Sequence, residues 1–189
     1  MSWGGLIVLV ILGILVLGVI LTYNRLVRLR NETANGWRQI DVQLKRRHDL
    51  IPNLVAAVKG AMEFEQDTLT KVIQARNAAV SARGVADAAV KEGELSQILS
   101  RLFALVENYP ALRSNDNVKQ LQEEITSTEN KVSFARQFYN DIATEYNIAQ
   151  EVFPANIVAG MFGGFKPAEL FAVTAEAERQ VPQVNLSLR

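Results

Sequence analysis

The first 24 residues carry no charged side chain, and Arg25, Arg28 and Arg30 follow directly behind them. Leu6 to Leu21 is an apolar run in which only Gly13 and Gly18 lack bulk, and Trp3 and Tyr23 bracket it. An α-helix rises about 1.5 Å per residue, and a bilayer core takes roughly 20 apolar residues. Trp3 to Tyr23 therefore suits one crossing, with an aromatic anchor at each interface. The rest of the chain is expected to be a domain tethered to a membrane.

The first charges after the span are basic, and no Lys or Arg precedes it. By the positive-inside rule this predicts a single-pass protein of the cell (inner) membrane, with its N-terminus outside and residues 25–189 in the cytoplasm. A cleaved signal peptide would need a basic start and a small-residue cleavage site. Here the start reads Met-Ser-Trp-Gly-Gly and the exit Leu-Thr-Tyr-Asn-Arg. With no cysteine in the chain there is no lipoprotein acylation site, disulfide or thiolate ligand.

Beyond the span, the apolar residues recur at three- and four-residue steps, the spacing of a helix face. Trp37, Ile40, Leu44, His48, Ile51, Val55, Val58 and Met62 form one stripe, and Leu69, Val72, Ile73 and Val80 a shorter one. A third runs from Leu95 to Tyr109 and stops at Pro110. The fourth, from Val118 to Phe153, holds five heptads in coiled-coil register, with Asn115 or Ser114 placed to cap it. This predicts an all-α fold: an N-terminal transmembrane helix and then an elongated antiparallel bundle of about four helices, two of them long. The expected divisions are 1–24 for the external end and span, 25–171 for the cytoplasmic bundle, and 172–189 for a flexible tail. Pro52 removes an amide from the first long helix and is expected to kink it, because its ring crowds the carbonyl of His48.

Chemistry is hard to find in this sequence. A di-iron bundle needs Glu-x-x-His, and Lys45 stands three residues before the only histidine. Zinc needs several His or Cys ligands. Gly160 to Gly164 is glycine-rich but lacks the Lys-Ser/Thr of a phosphate loop. We therefore expect no catalytic, cofactor-binding or metal-binding residues, and no enzyme. His48 is expected to be a core-edge histidine bonded locally, with a pH sensor or a ligand as the alternative.

The block from Trp37 through Asp41, Lys45, Arg46, Arg47, His48, Asp49 and Pro52 to Leu54 resembles the LemA family. Tyr23-Asn24-Arg25-Leu26-Val27, Glu107-Asn108-Tyr109-Pro110, Leu121-Gln122-Glu123-Glu124 and Phe153-Pro154 extend that resemblance over nearly the whole chain. It implies a bacterial membrane protein with one N-terminal span and an all-helical cytoplasmic bundle, and it implies no enzymatic activity. One departure is the pair Gly163-Gly164 between Phe162 and Phe165, where the family usually has a single glycine.

The remaining candidates are surfaces for binding. Arg25, Arg28 and Arg30 suit the membrane surface. The triplet Lys45-Arg46-Arg47 sits about 30 Å further along a straight helix, beyond the Debye length of about 8 Å, and is expected to face solvent or a protein. Arg38, Asp41, Lys45, Arg46, Arg47 and Asp49 are the candidate assembly face, either self-paired as Asp41–Lys45 and Arg46–Asp49 or docking a partner. In the tail, Ile157, Met161 and Phe162 form an apolar stretch too short to cross a bilayer, and it docks either on its own bundle or on membrane or a neighbour. Val184, Leu186 and Leu188 alternate like a strand that can add to a partner's sheet. The distal part of the chain is acidic, with thirteen Lys/Arg against eighteen Asp/Glu outside residues 25–47, so no nucleic acid is expected. The partners expected are the lipid bilayer and either further copies of the chain, in a homo-oligomeric scaffold, or a membrane protein such as a protease, with the chain as adaptor. The topology has a direct check: protease added outside intact cells is expected to leave residues 25–189 undigested.

Overall fold

The computed structural model describes residues 3–172, and among these the chain is all-α. Helix α1 spans Trp3–Lys59 without a break, so the apolar segment and the first bundle helix are one rod of about 85 Å. A 3₁₀ turn at Glu63–Glu65 leads into α2, Gln66–Val80, which forms a hairpin with α3, Gly84–Val106. Gly84 has φ +83°, a left-handed turn conformation that costs a glycine nothing. The single turn α4, Pro110–Arg113, opens on proline at its first helical position and precedes α5, Asp116–Glu151. The short α6, Ala155–Phe162, ends at Gly163 in the left-handed conformation.

Asn115 caps α5 as its sequence position suggests, its Oδ1 accepting from the amides of Asn117 and Val118. The helix α3 starts eleven residues before Leu95, the first large apolar side chain that it buries. Its opening turns are packed through Ala88 and Ala89, which are too small to register as a stripe.

Helices α1 and α5 run antiparallel along their shared length: Arg25 lies beside Glu145, Gly36 against Tyr139, and Arg47 beside Glu129. Away from the apolar segment the α2/α3 hairpin joins them, and Ile51, Leu54, Val72, Leu99, Leu102 and Ile125 form a sealed core. Nearer the apolar segment the hairpin has ended, and only two long helices remain. The gap beside them is filled by α6 and by the non-helical strap 163–172 that climbs back along α5.

The strap is held by side chains that imitate backbone. Asn147 gives its amide to the Ala168 carbonyl (2.9 Å) and accepts from the Ala168 N–H (2.7 Å). Seven residues earlier, Asn140 does the same with Phe171, at 3.1 and 2.8 Å. Two helical turns on one face thus match three residues of extended chain. Tyr139 donates to the Glu169 carbonyl at 2.7 Å. Burial, and then the Glu169 charge, push its phenol above the ordinary tyrosine range, which keeps it a donor. Phe171 ends the strap buried against Trp37 and Ala89. The tail positions Val184, Leu186 and Leu188 lie outside the described residues.

The paired bonds make a specific prediction. Asn147→Leu strands both polar groups of Ala168, a cost on the order of 1–3 kcal/mol for each group left unsatisfied. Limited proteolysis is expected to cut that variant within residues 163–172 well before the unaltered protein, with little change in helix content.

Candidate functional site

The residues nominated from sequence do not share one face. Rotation about α1 distributes them over three.

Arg47 faces inward, contrary to the expectation of a solvent-facing triplet. It follows Leu44 by three and precedes Ile51 by four, so it falls on the core register, and it is only 1% exposed. Glu92 holds the matching register on α3, three before Leu95 and seven before Leu99, and is 5% exposed. The two charges meet where those helices cross. The Arg47 Nη1 lies 3.4 Å from Glu92 Oε2, and Nη2 donates to Ser96 Oγ at 2.9 Å and lies 3.5 Å from Glu129 Oε2 on α5. Glu92 Oε1 is in turn 2.6 Å from His48 Nε2. That places the ring proton on Nε2, donated to the carboxylate. His48 thus sits at the edge of the core, and its ring is bonded not locally but to Glu92 of α3, 44 residues away. One guanidinium links three helices, and Arg47 Nε alone has no acceptor.

The same histidine's backbone solves the problem set by Pro52. The carbonyl freed by the missing proline amide accepts from Arg76 Nε of α2 at 3.2 Å. The helix thus continues to Lys59, and its defect becomes a contact with the neighbouring helix.

The second face carries Asp41, Lys45 and Asp49, which with Trp37, His48 and Arg76 line a cleft of about 450 Å³ between α1 and the hairpin. Asp41 and Lys45 do not pair, and Arg46 pairs not with Asp49 but with Glu124 of α5 at 3.5 Å. The cross-helix acid is reached because Arg46 points along α5 while Asp49 points toward the cleft.

The third face holds Arg38 and an apolar groove that sequence reasoning missed. Val42, Phe134 and Phe138 lie exposed between α1 and α5, with Arg38 and Lys131 on the rim, around a space of about 590 Å³. Phe134 is 74% exposed. Phe134 and Phe138 flank the heptad stripe of α5 by one residue, and a stripe's flank reads as core margin until the neighbouring helices are placed. Of the membrane-proximal arginines, Arg25 and Arg28 form exposed pairs with Glu145 and Glu32, and Arg30 reaches the Gly164 carbonyl and lies over the Phe165 ring. Ile157 and Met161 point outward from α6, while Phe162, half exposed, packs on the Tyr23 ring of α1 at 4.9 Å. Among the described residues no group of three or more His, Cys, Asp or Glu is placed to hold a metal.

Residues 36–186 match the LemA family. The chain belongs to the LemA family. The matched region begins one residue before Trp37 and takes in the whole buried cluster, while the apolar segment lies ahead of it. The chain is also similar to magnetosome protein MamQ 2 of Paramagnetospirillum magneticum, 25% identical over 179 residues, covering 81% of this chain and 65% of the relative. MamQ of Magnetospirillum gryphiswaldense is 24% identical over the same length. The protein LemA of Metamycoplasma hominis is 28% identical over 137 residues, covering 72% of this chain and 63% of its own. The chain thus spans about two-thirds of the length of these curated relatives. Its apolar N-terminal helix is long enough to cross a bilayer and has none of its apolar window buried, as befits a membrane-associated member of the family.

A buried ion pair that loses one partner leaves an uncompensated charge, at a cost of about 3–5 kcal/mol. Glu92→Ala and Arg47→Ala are each expected to lower the urea unfolding free energy by that much. The double variant Arg47→Met, Glu92→Leu is expected to lose less than the sum of the singles.

Proposed function

We propose that this LemA-family protein is a membrane-anchored scaffold that associates with further copies of itself through the groove between α1 and α5. The observation that carries this reading is the exposed trio Val42, Phe134 and Phe138, grouped in one groove between the two long helices. Exposed apolar side chains grouped in a concave surface favour a protein contact over water. Anchoring adds to this, because copies in one membrane share height and direction, which raises their effective concentration. At equal height the rim cations of one copy, Arg38 and Lys131, meet the aromatic floor of the next, an attractive pairing. The names of the MamQ relatives assign that protein to the magnetosome and state no reaction.

A second reading rests on the cleft at Asp41, Lys45 and Asp49, where both signs of charge surround the Trp37 ring. There the chain is an adaptor that docks a membrane protein partner on this face.

Light scattering of the full chain in nanodiscs or mild detergent separates the two. The scaffold predicts a discrete homo-oligomer, and Phe134→Glu is expected to weaken its assembly by about tenfold or more while helix content is kept, given roughly 1.5–3 kcal/mol for burying a phenylalanine. A monomer at all concentrations tested defeats the scaffold and favours the adaptor.

A further inference from the structure

We infer that α6 is a second membrane contact, an interfacial helix whose outer face sits in the lipid surface that α1 crosses. The inference rests on the reading of α1 as a bilayer span.

The height of α6 along α1 decides the matter. Its inner side, Ala155 and Val158, is packed on Leu26 and Leu29 of α1 and on Tyr146 and Ala149 of α5. Val19, which belongs to the apolar run, is packed against the same cluster. The Tyr23 ring, at the end of that run, lies 4.9 Å from the Phe162 ring and 5.7 Å from Phe165. With Leu6 to Leu21 in the hydrocarbon, α6 cannot stand clear of the bilayer. It lies at the headgroup level.

What α6 presents there is apolar. Ile157 and Met161, one turn apart on α6, are 54% and 67% exposed, and Phe153, just ahead of the helix, is 79% exposed. No charged residue occurs from Val152 to Phe165, a stretch too short to span a bilayer. In water these side chains form an uncovered patch, whereas an interfacial helix buries its apolar face about 5–10 Å into the boundary. The charges beside it suit anionic headgroups. Arg25, Arg28 and Arg30 occupy α1 at this level, and Lys166 follows the strap's first phenylalanine. The exposed pairs of Arg25 and Arg28 with glutamates are of the weak surface kind and leave both available to phosphate. The consequence is mechanical: one helix through the bilayer leaves the rod free to tilt, and a second contact beside it fixes the tilt and height at which each copy stands.

The chain has no cysteine, so single spin labels report one position each. The full chain carries Ile157→Cys or Met161→Cys, with Ile14→Cys and Lys119→Cys as references in the span and at the distal end. Each is placed at one copy per nanodisc of phosphatidylcholine and phosphatidylglycerol, and relaxation by oxygen is compared with relaxation by a water-soluble nickel chelate. The expected result is an oxygen-to-nickel ratio at both α6 positions about tenfold above that at position 119 and below that at position 14. A ratio at both equal to that at position 119, or labels shielded from both relaxers, overturns the inference while position 14 still reports hydrocarbon. Loss of the oxygen signal at position 14 overturns the span itself, and with it the inference.

Discussion

A guanidinium shut away from water must be satisfied where it stands, and Arg47 sets the terms on which α3 and α5 pass α1. Its partners arrive from two directions, Glu92 and Ser96 from α3 and Glu129 from α5. Apolar contacts in the core below Ile51 tolerate sliding by a fraction of a turn, since methyl groups have no direction. A charge pair at 1% and 5% exposure does not, because a misplaced register leaves both ions without water or partner. His48 adds a second constraint by fixing Glu92 from the adjacent position on α1. The cluster stands within the four-helix part of the bundle, where α3 has already met Ile40 and Leu44 through Ala88 and Ala89, and it holds the hairpin to the long pair.

Toward the apolar segment the constraint is of another kind. Two long helices alone leave one side of each open, and the short α6 covers them only around Leu26, Leu29, Tyr146 and Ala149. The strap answers with side-chain amides in place of a backbone ladder, which lets an extended segment lie on a helix with its N–H and C=O groups paired. Gly36 lies against Tyr139 here, and a Cβ at that position would make an ordinary contact, 3.4 Å from the Tyr139 Cα. Strap, α6 and Tyr23 then form one aromatic-lined collar around the exit of the span.

Much of this architecture was legible in the sequence because it is periodic. The four stripes located α1, α2, α3 and α5, and Asn115 marked the start of the last. The Ala-rich start of α3 left no stripe to see. Arg47 was misjudged because charge alone argued for solvent, while its register, three after Leu44 and four before Ile51, argued for the core. Register is local and visible, but its meaning depended on Glu92, 45 residues away on another helix. The pairing of Asn140 and Asn147 with the strap had even less of a signal, since a seven-residue repeat of asparagine on a helix face reads as a solvated surface. The same limit applies to the groove, because Phe134 and Phe138 are core or surface only once the position of α2 and α3 is known.

The continuity of α1 joins these parts into a single mechanical unit. Pro52 would ordinarily weaken a long helix at that point, yet the freed His48 carbonyl is taken up by Arg76, so the break in the hydrogen-bond ladder is bridged by α2. The apolar segment, the collar, the groove and the charge cluster consequently lie along one helix with fixed angular offsets between them. Arg38 and Val42 share the groove face, Asp41 and Lys45 the cleft face, and Ile40, Leu44 and Arg47 the core, each set repeating at three or four residues. Any rotation of the rod in the membrane turns groove and cleft together. Two side surfaces on one rod thereby keep a rigid angular offset, and the helix supplies it through an unbroken run from Trp3 to Lys59.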